Sequence, residues 1–278
     1  MTLNKIKQGI VKGTPLINYK EIGKGPPVIF LHGIGGNSEN WYEQQNAIAN
    51  DFTAIAWDAR GYGNSDDYEG ALNFEDFSYD LARLMDSKNI DKAHLVGLSM
   101  GARILMDFYP KYKNRVATLF LCDCFFDYKI LSKDKQKEFI DLRQKPLKNG
   151  KTLSEIAPAL INSLVGPNCS DEAKIKIKQS FLKIHIESYL KTISESITYN
   201  TSNNLSKFNV PTKLVYGEHD KLTPVSIGYL AKEKIKNSSL NIIKNAGHLC
   251  NIEQPVSFNK VLLEFLLQHK DKANFKKV

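Results

Sequence analysis

Gly97-Leu98-Ser99-Met100-Gly101 follows the apolar run 93–98 and precedes the helix-like Ala102-Arg103-Ile104-Leu105-Met106, so the serine stands at a strand-to-helix corner. A serine hydroxyl is a weak nucleophile until it is held exposed beside a base and faced by amide donors. A sharp turn between glycines permits that approach, and the pattern is that of a nucleophile elbow. With Gly and Ser each at roughly 7% of residues, a chain of this length carries G-x-S-x-G by accident about one time in ten, so the partners decide.

Those partners lie downstream. Leu214-Val215-Tyr216-Gly217-Glu218-His219-Asp220 is an apolar strand entering a polar loop, with Pro224 opening a helix, and Asp220 is the candidate acid. Leu240-Asn241-Ile242-Ile243 is a second short strand, and the loop Asn245-Ala246-Gly247-His248 delivers the candidate base. Upstream, Pro27-Val28-Ile29-Phe30-Leu31 runs into the glycine-rich turn His32-Gly33-Ile34-Gly35-Gly36. The backbone N–H groups of Ile34 and Met100 are the candidate oxyanion hole. In this scheme Ser99 attacks an acyl carbon, His248 serves as base and then acid, and Asp220 fixes the imidazole tautomer. No metal and no organic cofactor is required. Glu218 is a weaker alternative acid.

These residues need a scaffold. Segments 6–12 and 15–22 alternate around Gly13-Thr14 and predict an opening hairpin at a sheet edge. From Pro27 onward short apolar runs alternate with amphipathic segments, which predicts a mostly parallel sheet covered by helices on both faces. Strands are expected near 28–31, 53–57, 94–98, 117–122, 212–216 and 241–243. Phe74, Phe77, Leu81, Leu84 and Met85 recur at helical spacing behind Asn73, the expected cap, with Asp76 three residues later. A second helix starts at Pro255 and carries Phe258, Val261, Leu262, Phe265 and Leu266 on one stripe. The rhythm breaks between 124 and 207, a Lys-rich, helical stretch punctuated by Pro146, Gly150, Gly166 and Pro167.

Composition bounds the rest. The chain has 278 residues, 42% of them hydrophobic, enough for one α/β domain with an insertion. Its net charge of +8 comes from dispersed lysines, with arginine only at 60, 83, 103, 115 and 143, and this spread argues against a nucleic-acid partner. Cys122, Cys124, Cys169 and Cys250 fit neither a zinc site nor a disulfide framework, and the first pair is expected to be reduced and partly buried. No signal peptide or membrane span is evident, so a soluble cytoplasmic protein without a membrane partner is expected, as a monomer or homo-oligomer. The basic tail 270–277 is expected to fray.

His32-Gly33-Ile34-Gly35-Gly36, Asp58-Ala59-Arg60-Gly61-Tyr62-Gly63-Asn64-Ser65, the Gly97-to-Gly101 elbow and Gly247-His248-Leu249-Cys250-Asn251-Ile252-Glu253-Gln254-Pro255 together resemble the α/β-hydrolase superfamily. Within it they are similar to the esterase and lactonase branch, in particular to 3-oxoadipate enol-lactonase-like hydrolases. The resemblance spans nearly the whole chain. It implies the α/β-hydrolase fold, an eight-stranded sheet with residues 1–123 and 208–278 as core. It also implies a helical cap at 124–207, inserted between the sixth and seventh strands over the site mouth.

The resemblance further implies a scaffold role for His32, whose imidazole would bond the surrounding loop, and an ion-paired turn at Asp58 and Arg60. It leaves Asp123 as a second candidate acid, because some members take the acid from the strand before the cap. Trp41 is either a pocket wall or a core aromatic. Arg143, the cap's only arginine, either pairs with a substrate carboxylate or is solvated, the expected state. The implied substrate is a small carboxylic ester or lactone. The alternatives are a C–C hydrolase, which would carry tryptophan where Leu249 stands, and a ligand-binding receptor retaining the pocket. A serine at 99 argues against dehalogenases and epoxide hydrolases, which use aspartate there.

Overall fold

The computed structural model describes residues 5–127 and 131–276. Its strands are β1 (Lys7–Val11), β2 (Ile17–Ile22), β3 (Pro27–Leu31), β4 (Thr53–Trp57), β5 (Ile90–Leu98), β6 (Val116–Cys122), β7 (Thr212–Gly217), β8 (Ser238–Ile243) and β9 (Asn274–Phe275). The helices are α1 (Tyr42–Ile48), α2 (Glu75–Ser87), α3 (Met100–Lys111), α4 (Lys133–Lys148), α5 (Leu153–Leu164), α6 (Asp171–Phe181), α7 (Ile186–Thr198), α8 (Val225–Lys234), α9 (Cys250–Glu253) and α10 (Pro255–Gln268).

Eight strands lie side by side in the order β1-β2-β4-β3-β5-β6-β7-β8, and the short β9 pairs with the start of β5. The steps β1 to β2 and β2 to β4 are antiparallel. The remaining steps along the row are parallel. Parallel neighbours need crossovers, and these put helices on both faces. Every residue of β3, β4 and β6 is accordingly buried. Along β3, Ile29 and Leu31 enter one core with Phe77 and Leu81 of α2 and Leu105 of α3. Val28 and Phe30 enter the other with Phe258 and Leu262 of α10.

Local details depart from the sequence pattern where tertiary partners intervene. Asn73 accepts the Glu75 amide at 3.1 Å, but α2 starts behind Phe74 without a side-chain cap. Asp76 does not close a capping box, because Arg60 draws it away at 3.0 Å. The expected ion-paired turn also takes another form. Asp58 accepts the Ser38 and Asn64 amides at 2.7 and 2.9 Å, while Arg60 reaches Asp76 and Asp80 of α2. The tail is not frayed: residues 274–275 extend the sheet beside β5, and the Lys276 amide donates to Asn89 at 2.7 Å. Lys277 lies outside the described residues. Cys122 and Cys124 are free and fully buried rather than partly so.

Between β6 and β7 stand α4 to α7, with no strand among the described residues beyond an isolated bridge from Tyr62 to Ile184. Ser132, Thr152 and Ser170 cap the first three of these helices, and Glu155 completes a capping box with Thr152. This helical segment is fastened to α3 through Arg103. Its guanidinium donates to Ser196 at 2.7 Å and to Tyr199, carbonyls at the end of α7 that have no helical partner. No helix among the described residues is long and apolar enough to cross a membrane.

Asp80 is fully buried and accepts from Arg60 and from Arg83 at 2.7 and 2.9 Å. Asp80→Ala leaves two guanidinium groups facing an empty place, and breaking such a buried pair costs about 3–5 kcal/mol. A fall in Tm of roughly 10 °C is expected. A fall below about 2 °C in a thermal melt would show that the carboxylate is dispensable.

Candidate active site

The elbow forms because β5 runs straight into α3 with one residue between them. That residue, Ser99, has φ 54° and ψ −111°, a conformation that side-chain-bearing residues rarely hold without compensation. Compensation comes from both sides: its N–H donates to Cys122 at 2.8 Å and its carbonyl accepts the Arg103 amide at 3.1 Å. The two motif glycines are required by contact. A Cβ on Gly97 would lie 2.5 Å from the Gly101 backbone, and one on Gly101 would lie 2.1 Å from the Leu31 carbonyl oxygen.

His248 meets this serine. Its Nε2 is 3.0 Å from Ser99 Oγ, and its Nδ1 is 2.8 Å from Asp220 Oδ2. A carboxylate only accepts, so the proton is assigned to Nδ1 and Nε2 is free to accept from the hydroxyl. Asp220 is itself saturated with donors. The amides of Leu222 and Thr223 reach Oδ1 at 2.8 and 2.9 Å, and the Thr223 hydroxyl donates to Oδ2. Burial pushes the Asp220 carboxyl up, but the His248 interaction and the Thr223 donors outweigh it and hold the group below the usual range. Thr223 was not singled out by the sequence. The only available signal is a hydroxyl three residues after Asp220 and just before Pro224.

Asp123, the other candidate acid, lies elsewhere in the hydrogen-bond network. It is fully buried at the end of β6, with φ 42°, and its Oδ1 accepts the Gly217 amide at 2.7 Å. It therefore braces β7, which leads to Asp220. Burial and then the nearby Asp220 charge push the Asp123 carboxyl well up, against the Cys250 thiol and the Gly217 amide. Glu218 points to the Asn245 amide at 3.0 Å.

Ile34 lines the same cavity as the serine, and Met100 follows Ser99 directly as the first residue of α3. Among the described residues neither amide is engaged in a hydrogen bond. His32 holds the Ile34 loop: its Nδ1 donates to Gly33 at 2.9 Å and its Nε2 accepts the Ala59 amide at 3.0 Å. Burial lowers its pKa and keeps it neutral, as this pair of bonds requires. Trp41 packs on Phe30 with ring centres 5.1 Å apart and also lines the cavity, so the two alternatives do not exclude each other. Arg143 is not solvated. It is 6% exposed, lies 3.9 Å over the Phe139 ring, donates to the Phe139 carbonyl and faces the cavity.

The sequence pattern that defines the alpha/beta hydrolase fold matches residues 26–255. The chain belongs to that family. Among characterised relatives, this α/β hydrolase is 24% identical to a pyrrolizixenacetamide deacetylase of Xenorhabdus hominickii, covering 95% of this chain and 98% of the relative. Among solved structures it is similar to a thermophilic esterase from Thermogutta terrifontis, with TM-score 0.84 and 25% identity, covering 96% of this chain and 99% of the esterase. It also shares its fold with an enol-lactonase from Burkholderia xenovorans, with TM-score 0.80 and 20% identity over 91% of this chain and 97% of the lactonase.

A carboxyl raised on folding stabilises the protein fully below its unfolded value, near about 3.9, and that contribution is lost as pH climbs toward the folded value. Asp123→Asn removes this dependence and keeps an acceptor for Gly217. Thermal melts between pH 4 and pH 8 are expected to decline less in the variant than in the wild type. An equal or steeper decline would mean that Asp123 is ionised in the folded hydrolase.

Proposed function

We propose that the protein is a serine hydrolase that cleaves a small carboxylic ester or lactone through an acyl-enzyme on Ser99. The observation that carries this reading is the unbroken hydrogen-bonded row from Ser99 through His248 to Asp220, at 3.0 and 2.8 Å. As Oγ attacks the acyl carbon, Nε2 takes its proton, and the Asp220 charge stabilises the imidazolium without accepting the proton. The amides of Ile34 and Met100 receive the oxyanion, the latter from the helix end where N–H groups lack intrahelical partners. The imidazolium then protonates the departing alkoxide. Water, deprotonated by the same nitrogen, releases the acid. With a lactone the alcohol stays on the acyl chain, and one hydroxy acid leaves.

Residues 124–207 act in this reading as a cap that selects the substrate. Phe139, Leu160, Ile161, Ile177 and Phe181 supply an apolar wall opposite Ser99 and His248. Among the described lining residues Arg143 is the sole Lys or Arg, and none is acidic. An apolar substrate body with an anionic end away from the scissile bond fits that lining.

Ser99→Ala is expected to lower turnover of short aryl esters and simple lactones by at least about 10⁴-fold with the fold intact. A fluorophosphonate is expected to add to wild-type Ser99, as read by mass spectrometry, and not to the variant. Turnover within about tenfold of wild type in the variant would overturn the serine mechanism, as would turnover confined to C–C substrates for the ester reading.

A hydrogen bond to a charged group is worth about 1.5–3 kcal/mol, or tenfold and more in rate. Arg143→Gln is therefore expected to lower kcat/KM for a hemiester of a dicarboxylic acid at least about tenfold relative to the matching neutral ester. An unchanged ratio would remove Arg143 from substrate recognition.

A further inference from the structure

Glu253 is a buried carboxylate that the proposed chemistry does not use. It ends α9, five residues after His248, and is 6% exposed. Its Oε1 accepts the amides of Gly247 and Leu249 at 3.0 and 3.2 Å, the two residues that flank the histidine. Its Oε2 accepts the Gly166 amide at 2.7 Å, just beyond the end of α5. The histidine's own amide donates to the Leu164 carbonyl at 2.7 Å, also at the end of α5. The loop that presents the imidazole is thus tied to the segment between β6 and β7 twice, directly through the His248 amide and indirectly through Glu253. Leu160, Ile161 and Leu164 of the same α5 line the cavity.

We propose that Glu253 is a positioning residue for His248: by holding the Gly247, Leu249 and Gly166 amides at once, its carboxylate sets the imidazole in register with both Ser99 and the α5 wall of the cavity. This rests on the serine-hydrolase reading for its consequence in turnover, though not for the geometry itself. Three amides converging on one carboxylate form charge-assisted bonds, stronger than those to a neutral acceptor. The arrangement cannot be reproduced by an amide side chain, because the –NH₂ of glutamine donates and would meet N–H groups that also donate. Burial raises the Glu253 carboxyl, and the Gly166, Gly247 and Leu249 amides oppose that rise.

The test uses Glu253→Gln in the full chain with two readouts. The first is turnover of an aryl ester, where kcat is expected to fall at least about tenfold with KM within about threefold, a split that simple loss of substrate binding does not give. The second is the downfield NMR resonance of the proton between His248 Nδ1 and Asp220, expected to be lost or broadened in the variant while the remaining amide spectrum is retained. Should the glutamine variant fail to fold, Glu253→Asp, which keeps the charge and shortens the reach, is read by the same two measurements with the same expectations. Wild-type kcat together with an unchanged downfield resonance would overturn the proposal. If the wild-type protein hydrolyses no ester, the serine-hydrolase reading fails, and the resonance alone still decides whether Glu253 holds the imidazole.

Discussion

Gly101 comes so close to the Leu31 carbonyl that the first turn of α3 rests directly on the end of β3. This contact of backbone on backbone fixes much else. It brings the start of α3 over the parallel strands, forces the single intervening residue into a strained conformation, and so lifts the Ser99 hydroxyl clear of the helix. It also sets the start of α3 against the His32 carbonyl, where the chain leaves β3 toward Ile34. A side chain at either motif glycine would push the helix off the sheet.

Asp220 and His248 reach this corner from the other half of the sheet. β7 and β8 lie in parallel register beyond β6, and the loops at their ends present Asp220 and His248 toward β5. Further hydrogen bonds give these loops their shape. Asp123 braces the end of β7, Thr223 and the Leu222 amide saturate Asp220, and Glu253 gathers the amides around His248. The site is consequently a set of short loops, each held by its own polar bond, on a rigid parallel sheet.

Local patterns made much of this legible in the sequence. The elbow, the glycine-rich turn after β3 and the loops after β7 and β8 each announce themselves by an apolar run ending in Gly and polar residues, and the structure puts strands where those runs lie. What the sequence left open depended on distance in space. Asp123 and Asp220 both follow apolar strands, and only the positions of β6 and β7 relative to His248 separate them. Arg143 sits in a Lys-rich helix whose pattern reads as solvated, yet it folds over Phe139 and into the cavity. Thr223 and Glu253 look like ordinary loop residues until their partners are seen, and β9 lies within a basic tail too short to show a strand period.

In the proposed mechanism Asp220 orients the imidazole that activates Ser99 and stabilises the charge it takes up. The most direct test is the turnover of Asp220→Asn beside that of Asp123→Asn on one ester. An amide at 220 keeps the shape but favours the wrong tautomer and removes the charge, a change that lowers turnover by about 10⁴ in the serine-protease template. The account predicts a loss of at least about a hundredfold for Asp220→Asn and turnover within about threefold of wild type for Asp123→Asn. The reverse order, or equal and modest losses in both, would contradict it.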